Sequence, residues 1–235
     1  MISVIVPTCN EEKLLPCCLQ SVITQQGNYQ LIVSDCASED NTVLQAKRYT
    51  DLVVTQNEPD LAKQLNAGAA AASGDILLFL HADSFLSPGC LSRLESIPGN
   101  VVGGAFTMQL AGNRFFYRIL SLGGNIYCRL TGTYFGDRGL FARSEVFKQM
   151  GGFTELPIMT DVDFSHRLKS NGRTILLPGP VITSSRKFEK ENPWRTLYLI
   201  FYALIAFKLK VDPERIKEKY YSKKFNQKDS FFWED

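Results

Sequence analysis

NAGAAAASGDILLFLHADS, residues 66–84, decides how the chain folds. Its alanine run favours helix, because Ala loses no side-chain entropy on entering one. Gly74 follows, a residue type suited to the left-handed turn that ends a helix. Ile76-Leu77-Leu78-Phe79-Leu80 is apolar at every position rather than at alternate ones. That is the pattern of a strand covered on both faces. His81-Ala82-Asp83-Ser84 then puts polar, metal-capable side chains where such a strand leaves the core. In open α/β sheets, ligands bind beyond the carboxyl ends of the strands.

Upstream, the same alternation recurs. Ser3-Val4-Ile5-Val6 is a short β-branched strand, stopped by Pro7. In the polar loop that follows, Thr8 or Asn10 can cap a helix that carries Leu14, Leu15, Cys18, Leu19 and Val22 on one face. Leu31-Ile32-Val33 forms a second strand, ending in Ser34-Asp35-Cys36-Ala37-Ser38-Glu39-Asp40-Asn41-Thr42. That loop is rich in side chains that bond their own backbone, and it caps a helix from about Thr42 to Tyr49. Leu52-Val53-Val54 is a third strand, and a helix from about Asp60 to Ala72 leads back to the opening stretch. Alternating strands and helices imply right-handed βαβ units and a parallel sheet. Thr8, Asp35 and Asp83 then share one edge of that sheet.

Downstream the character changes. Val101–Leu110 is a long strand whose Gly103-Gly104 implies close backbone approach or a bulge. Arg114–Arg129 is aromatic-rich and helical, and Tyr134–Gly139 is a glycine-punctuated loop. Strands follow at Leu140–Ala142, Thr174–Leu177 and Val181–Arg186, with helices at Ser144–Met150 and from about Asp161 to Ser170.

Composition bounds the function. With 235 residues, 45% hydrophobic and 21% charged, the chain suits one large α/β domain or two small ones. A net charge of +2 carries no nucleic-acid signal. The six cysteines have no CxxC spacing, so neither a zinc site nor a disulfide framework is expected. They read as small apolar packing residues in a reduced compartment. The N-terminus has no basic leader, and no apolar run approaches the roughly 18 residues of a membrane span. A cytoplasmic location is expected, with peripheral contact at the inner face of a membrane as an option. GxGxxG and GxxxxGK[ST] are both missing, which argues against dehydrogenases and P-loop NTPases.

In this order, PTCNEE after strand one, SDCASEDNT after strand two, and the Ala/Gly-rich helix before LLFLHADS resemble the inverting glycosyltransferases of family 2. GDRGLFARSEVFKQMGGF at 136–153 and TSSRK at 183–187 extend the likeness over about residues 2–190, closest to compact bacterial members. The resemblance implies a GT-A fold: a Rossmann-like, mostly parallel sheet flanked by helices. Residues 1–192 would form the domain, with a nucleotide half to about 98 and an acceptor half beyond, and 193–235 a C-terminal helical extension. It further implies hexosyl transfer from a UDP- or GDP-sugar to an acceptor hydroxyl, with Mn²⁺ or Mg²⁺ as cofactor. Thr8, Asn10, Glu11, Asp35 and Ala82 would contact the nucleotide, and Asp83 with His81 the metal. His81 stands where the family has Asp, and a ribose contact is its other option. Asp161, after Thr160 in place of Glu, would be the general base, with helix capping as the competing reading. Asp137, Arg138 and Arg186 would face acceptor or diphosphate. Lys63, Gln64 and Asn66 would reach the nucleotide, although for Lys63 and Gln64 a solvated helix face is the alternative. Asp163 reads as a helix-start acid or an acceptor contact, and His166 as a packing residue. A nucleotidyltransferase and a non-catalytic sugar-nucleotide-binding module remain alternatives, although the first wants a basic, Gly-rich loop where PTCNEE is acidic.

Leu197–Phe207 is apolar at all eleven positions and flanked by Trp194, Arg195, Lys208 and Lys210. It suits core packing, a homodimer through 194–210 or a peripheral membrane contact, the last matching a lipid-linked or apolar acceptor.

Overall fold

The structure, a computed structural model, describes residues 1–221; the last part of the expected C-terminal extension, 222–235, lies outside the described residues. The elements run β1 (Ile2–Thr8), α1 (Leu15–Ile23), β2 (Tyr29–Asp35), α2 (Thr42–Ala46), β3 (Val53–Thr55), α3 (Leu61–Ala70), β4 (Ile76–Phe79), β5 (Ser84–Leu86), α4 (Cys90–Glu95), β6 (Val101–Leu110) and α5 (Phe115–Thr131). A 3-10 turn at Gly136–Arg138 precedes β7 (Leu140–Arg143), α6 (Ser144–Gln149), α7 (Thr160–Ser170), β8 (Arg173–Thr183), α8 (Arg186–Lys190), α9 (Pro193–Lys208) and α10 (Pro213–Tyr220).

One eight-stranded sheet has the order β3-β2-β1-β4-β7-β6-β8-β5. β3, β2, β1 and β4 are parallel, so their carboxyl ends share an edge. β7 is antiparallel to both β4 and β6, and β8 runs parallel to β6. Both faces are covered, which explains the uninterrupted apolar runs. Val4, Val6 and Leu78 pack with Leu15, Leu19 and Val22 of α1, whereas Ile5, Leu77 and Phe79 pack with Leu65 of α3 and with Phe147, Phe153 and Phe164. On this second face Phe153 stacks on Phe164 at 4.2 Å and meets Phe79 edge-on at 4.8 Å.

Glycine in the opening stretch serves proximity more than turn geometry. A Cβ on Gly68 would lie 2.4 Å from Ile5 Cγ2, so α3 rests directly on β1. Gly74 has no left-handed φ, contrary to expectation: a Cβ there would lie 2.7 Å from the Ser3 nitrogen. Gly104 is tighter still, since its Cβ would come within 1.9 Å of the Ile175 carbonyl oxygen of β8. Gly104→Ala is expected to cost about 1–3 kcal/mol or more, because the backbone must shift to admit the methyl group. Urea denaturation checks this, and an unchanged midpoint would remove the close approach.

Other expectations shift. β1 continues through Pro7 to Thr8, in register with Ser34 and Asp35. Thr8 and Asn10 do not cap α1, whose cap residue Leu14 makes no side-chain bond. Asp60 caps α3 by accepting from the Lys63 amide at 3.0 Å. The two late strands are a single β8, irregular where β6 pairs across Phe106–Met108. The packing role holds for Cys18, Cys90 and Cys128, but Cys17 is exposed and Cys9 and Cys36 form a disulfide. The cause is register: Thr8 pairs with Asp35, so the next residues of β1 and β2 sit side by side, Cα atoms 5.3 Å apart. Across 27 residues no local spacing announces that pairing.

Candidate active site

The loops after β1 and β2 are laced into one ledge. Thr8 Oγ1 donates to Asp35 Oδ1 at 3.0 Å, and the Ser38 hydroxyl and amide donate to the same carboxylate at 2.6 and 2.9 Å. Asn10, in the left-handed region at φ 53°, donates its amide to Ser38 Oγ and accepts from the Glu39 amide. The Glu11 amide donates to Thr42 Oγ1 at 2.7 Å. Asp35 is fully buried. A carboxylate offers about four acceptor sites, so three bonds leave room for one more donor.

Beside the ledge is an ion cluster drawn from three distant segments. Arg186, at the start of α8, lies 2.9 Å from Glu11 Oε1 and 3.6 Å from Asp83 Oδ2. Burial pushes Glu11 up from 4.5 to about 7, against the pull of Arg186 and with a further push from Asp83. Between these values the folded chain holds a proton that the unfolded chain has released. Stability therefore falls as pH rises from about 4.5 to about 7, and Glu11→Gln flattens that slope. Urea midpoints measured on either side of the window check this prediction.

The third part faces inward from α7. Met159 precedes the helix in the left-handed region, φ 65°, unusual for a non-glycine residue. Asp161 Oδ2 accepts from the Gly136 amide and Oδ1 from the Val162 amide, both at 2.8 Å. A Cβ on Gly136 would lie 2.6 Å from His81 Nε2 and 3.7 Å from Asp161 Oδ2, so imidazole and carboxylate converge on this glycine. Burial raises the Asp161 pKa; the two amides and His81 oppose it without prevailing. Asp137 is raised by burial too, Arg138 and His81 pulling it back, and its Oδ1 is buried with no hydrogen-bond partner. Tyr220, at the end of α10, lies near enough that Asp161 and Asp137 add to the burial that raises its phenol. Tyr220 also stacks under Lys187 Nζ, 4.2 Å from the ring centre.

Thr8, Asn10, Glu11, Asp35, His81, Asp83, Asp137, Asp161 and Arg186 thus fall along one rim. Four expected residues are placed differently. Arg138 is 1% exposed and turned under α5, where it bonds Asn125 Oδ1; a Cβ on Gly124 would block it. Asn66 is committed at both ends of its amide to the Phe153 backbone, at 2.8 and 2.9 Å. Lys63 points to Glu58, 3.8 Å away, and Ala82 is buried in the core. Gln64 is not on a solvated face: it is buried and donates to the Thr8 and Ser34 carbonyls. Asp163 pairs with Arg167 at 2.7 Å. Tyr220 gave no signal in the sequence, because nothing local links a tail tyrosine to this rim.

Among the described residues, no three His, Cys, Asp or Glu side chains cluster tightly enough to cage a metal. A hard cation shared between one or two carboxylates and phosphate oxygens needs no cage. Asp83, with 23% of its side chain exposed, and its neighbour His81 supply oxygen and nitrogen donors of that open kind.

Residues 3–103 match the family model described as glycosyl transferase family 2. An uncharacterized glycosyltransferase of Haemophilus influenzae is 34% identical over 105 residues, 43% of this chain and 35% of the relative. A PGL/p-HBAD biosynthesis glycosyltransferase of Mycobacterium tuberculosis is 29% identical over 189 residues, covering 73% of this chain and 70% of the relative. Among solved structures, S. aureus TarS 1-349 in complex with UDP-GlcNAc superposes with TM-score 0.64 at 19% identity, over 78% of this chain and 58% of that one. The mannosyltransferase PcManGT of Pyrobaculum calidifontis, in complex with GDP-Man and Mn²⁺, gives 0.62 at 23%, over 86% and 60%. The chain thus spans about a third of the first relative and under two thirds of these two structures.

Proposed function

We propose that this chain, a family 2 glycosyltransferase of GT-A fold, moves a sugar from a nucleotide-sugar donor to an acceptor hydroxyl with inversion at the anomeric carbon. The observation that carries this reading is the convergence of Asp161 and His81 on Gly136, with Asp83 of the Glu11–Arg186–Asp83 cluster two residues from His81. The UDP- and GDP-sugars held by TarS and PcManGT support the donor class.

In this reading the nucleoside lies along the ledge after β1 and β2, which Asp35 holds together from beneath through Thr8 and Ser38. Arg186 supplies positive charge to the diphosphate. A divalent cation on Asp83 and His81 would add Lewis-acid stabilisation of the departing diphosphate. Asp161 takes the acceptor hydroxyl proton as that oxygen attacks the anomeric carbon. The bond from that carbon to the diphosphate oxygen breaks, and the nucleoside diphosphate leaves with the bonding pair. A single displacement inverts the centre and needs no protein nucleophile. The raised pKa of Asp161 suits a base, since proton transfer is best when donor and acceptor are closely matched.

Nucleoside diphosphate release from UDP- and GDP-sugars, with Mn²⁺ or Mg²⁺ present, tests the reading. Release from one donor class is the expected result. Pyrophosphate release from a nucleoside triphosphate and a sugar phosphate would instead establish a nucleotidyltransferase.

A further inference from the structure

Two helices of this chain carry the same apolar stripe. On α5 it is Phe115, Ile119, Leu122, Ile126 and Leu130; on α9 it is Trp194, Tyr198, Phe201 and Ile205, with Leu209 at the helix end. Both run i, i+4, i+7, i+11, i+15, which at 3.6 residues per turn keeps each within an arc of about 80°. These ten residues are 49–80% exposed and make up most of the exposed large hydrophobics among the described residues, the others being Met1, Ile23, Leu44 and Leu52. The helices meet at their N-terminal ends, where the Phe116 and Trp194 rings are 5.8 Å apart. An apolar hollow of about 390 Å³ opens on α9 among Tyr198, Phe201, Tyr202, Ile205 and Leu209. Packing does not require the stripes, because Ala203 and Ala206 anchor α9 and Tyr117, Ser121 and Cys128 anchor α5 from the opposite side.

Charge says what covers such a face. Residues 111–136 and 193–211 contain no Asp or Glu, while Arg114, Arg118, Arg129, Arg195, Lys208 and Lys210 are all exposed. A second copy would bring six like charges against six. An anionic lipid surface matches both the stripe and its basic rim, and Trp and Tyr suit the headgroup boundary. No helix among the described residues is long and apolar enough to cross a membrane, which leaves a helix lying in the interface.

We propose that α5 and α9 together form a docking face for an anionic bilayer, with both stripes entering the headgroup boundary. The sequence pointed only to 194–210 and left core, partner and membrane open; the matching stripe on α5 and the absence of acids from both helices decide among them. Asn125 of α5 holds Arg138, and Ala203 and Ala206 of α9 pack with Met159, two residues before Asp161. Docking therefore places the Asp137–Asp161 side of the rim behind the two docked helices, one helix away from the lipid.

Vesicle co-sedimentation of the full chain tests this without any turnover, so its failure leaves the transferase reading standing. Binding is expected to mixed phosphatidylglycerol–phosphatidylcholine vesicles, and to be weaker on phosphatidylcholine alone and in high salt. In a Trp233→Phe background, Trp194 emission should shift to the blue on binding. Leu122→Glu and Phe201→Glu, one per helix, should each weaken binding roughly tenfold or more, since each removes a large apolar group that docking would bury. An unchanged melting temperature verifies the fold of these variants; Arg118→Gln with Arg195→Gln, which touches no core, gives the same test through charge. Absence of binding to anionic vesicles overturns the proposal. Binding that ignores all of these substitutions also overturns it, as does a dimer in sedimentation equilibrium that they dissociate.

Discussion

Asp161→Asn is expected to lower turnover by roughly 10²–10⁴-fold, the usual loss on removing a positioned general base. Asn keeps the size and the acceptor oxygen that one of the Gly136 and Val162 amides requires. It cannot take a proton, and its NH₂ group cannot accept the second amide, so a melting temperature accompanies the assay. Nucleoside diphosphate binding should persist, because Glu11, Arg186, Asp83 and the ledge around Asp35 are untouched. On the proposed mechanism the ionised form of Asp161 is the working one, and burial has raised its pKa. Activity should therefore rise with pH through that raised value, and this limb should disappear in the variant. Near-normal turnover of Asp161→Asn would remove the residue from the mechanism.

Asp83→Ala is expected to abolish the metal-dependent part of nucleotide binding. Changing a residue that merely supports a metal ligand costs 10–100-fold in affinity, so loss of a ligating carboxylate costs at least about that much. The substitution also removes a negative neighbour from Glu11 and leaves Arg186 with one carboxylate fewer. Metal-independent binding then weakens less, or not at all. Calorimetry with and without Mn²⁺ separates the two parts. A Mn²⁺ enhancement that survives intact in Asp83→Ala would take the cation off this residue.

What the sequence disclosed follows the range of the physics. Ile76–Leu80 and Ser3–Val6 read correctly as strands covered on both faces, because an apolar residue at every position has one cheap explanation. Parallel direction then put Thr8, Asp35 and Asp83 on one edge without any coordinates. Long-range pairings were silent. Cys9 and Cys36 bond because their strands are in register, and Arg138 is buried because Gly124 lets it pass under α5. Asn66 closes on Phe153 across 87 residues. Arg138 and Asn66 looked like polar residues near a site and the two cysteines like small packing residues, which is all that sequence neighbours can convey. Arg186 is the converse: its place at a strand end suggested diphosphate, and the structure adds its pairing with Glu11, 175 residues away. The α9 stripe was visible only as an apolar run, since exposure is a property of the packed chain.

The central claim, a nucleotide-sugar site along this rim, is tested most directly by a thermal-shift series with nucleoside diphosphates, each with and without Mn²⁺. A ligand at a hundred times its Kd adds about 2.7 kcal/mol to stability, or roughly 5–10 °C for a chain of this size. The account predicts such a shift with UDP or GDP, larger with the cation than without. No shift with any nucleoside diphosphate, in either condition, would contradict it.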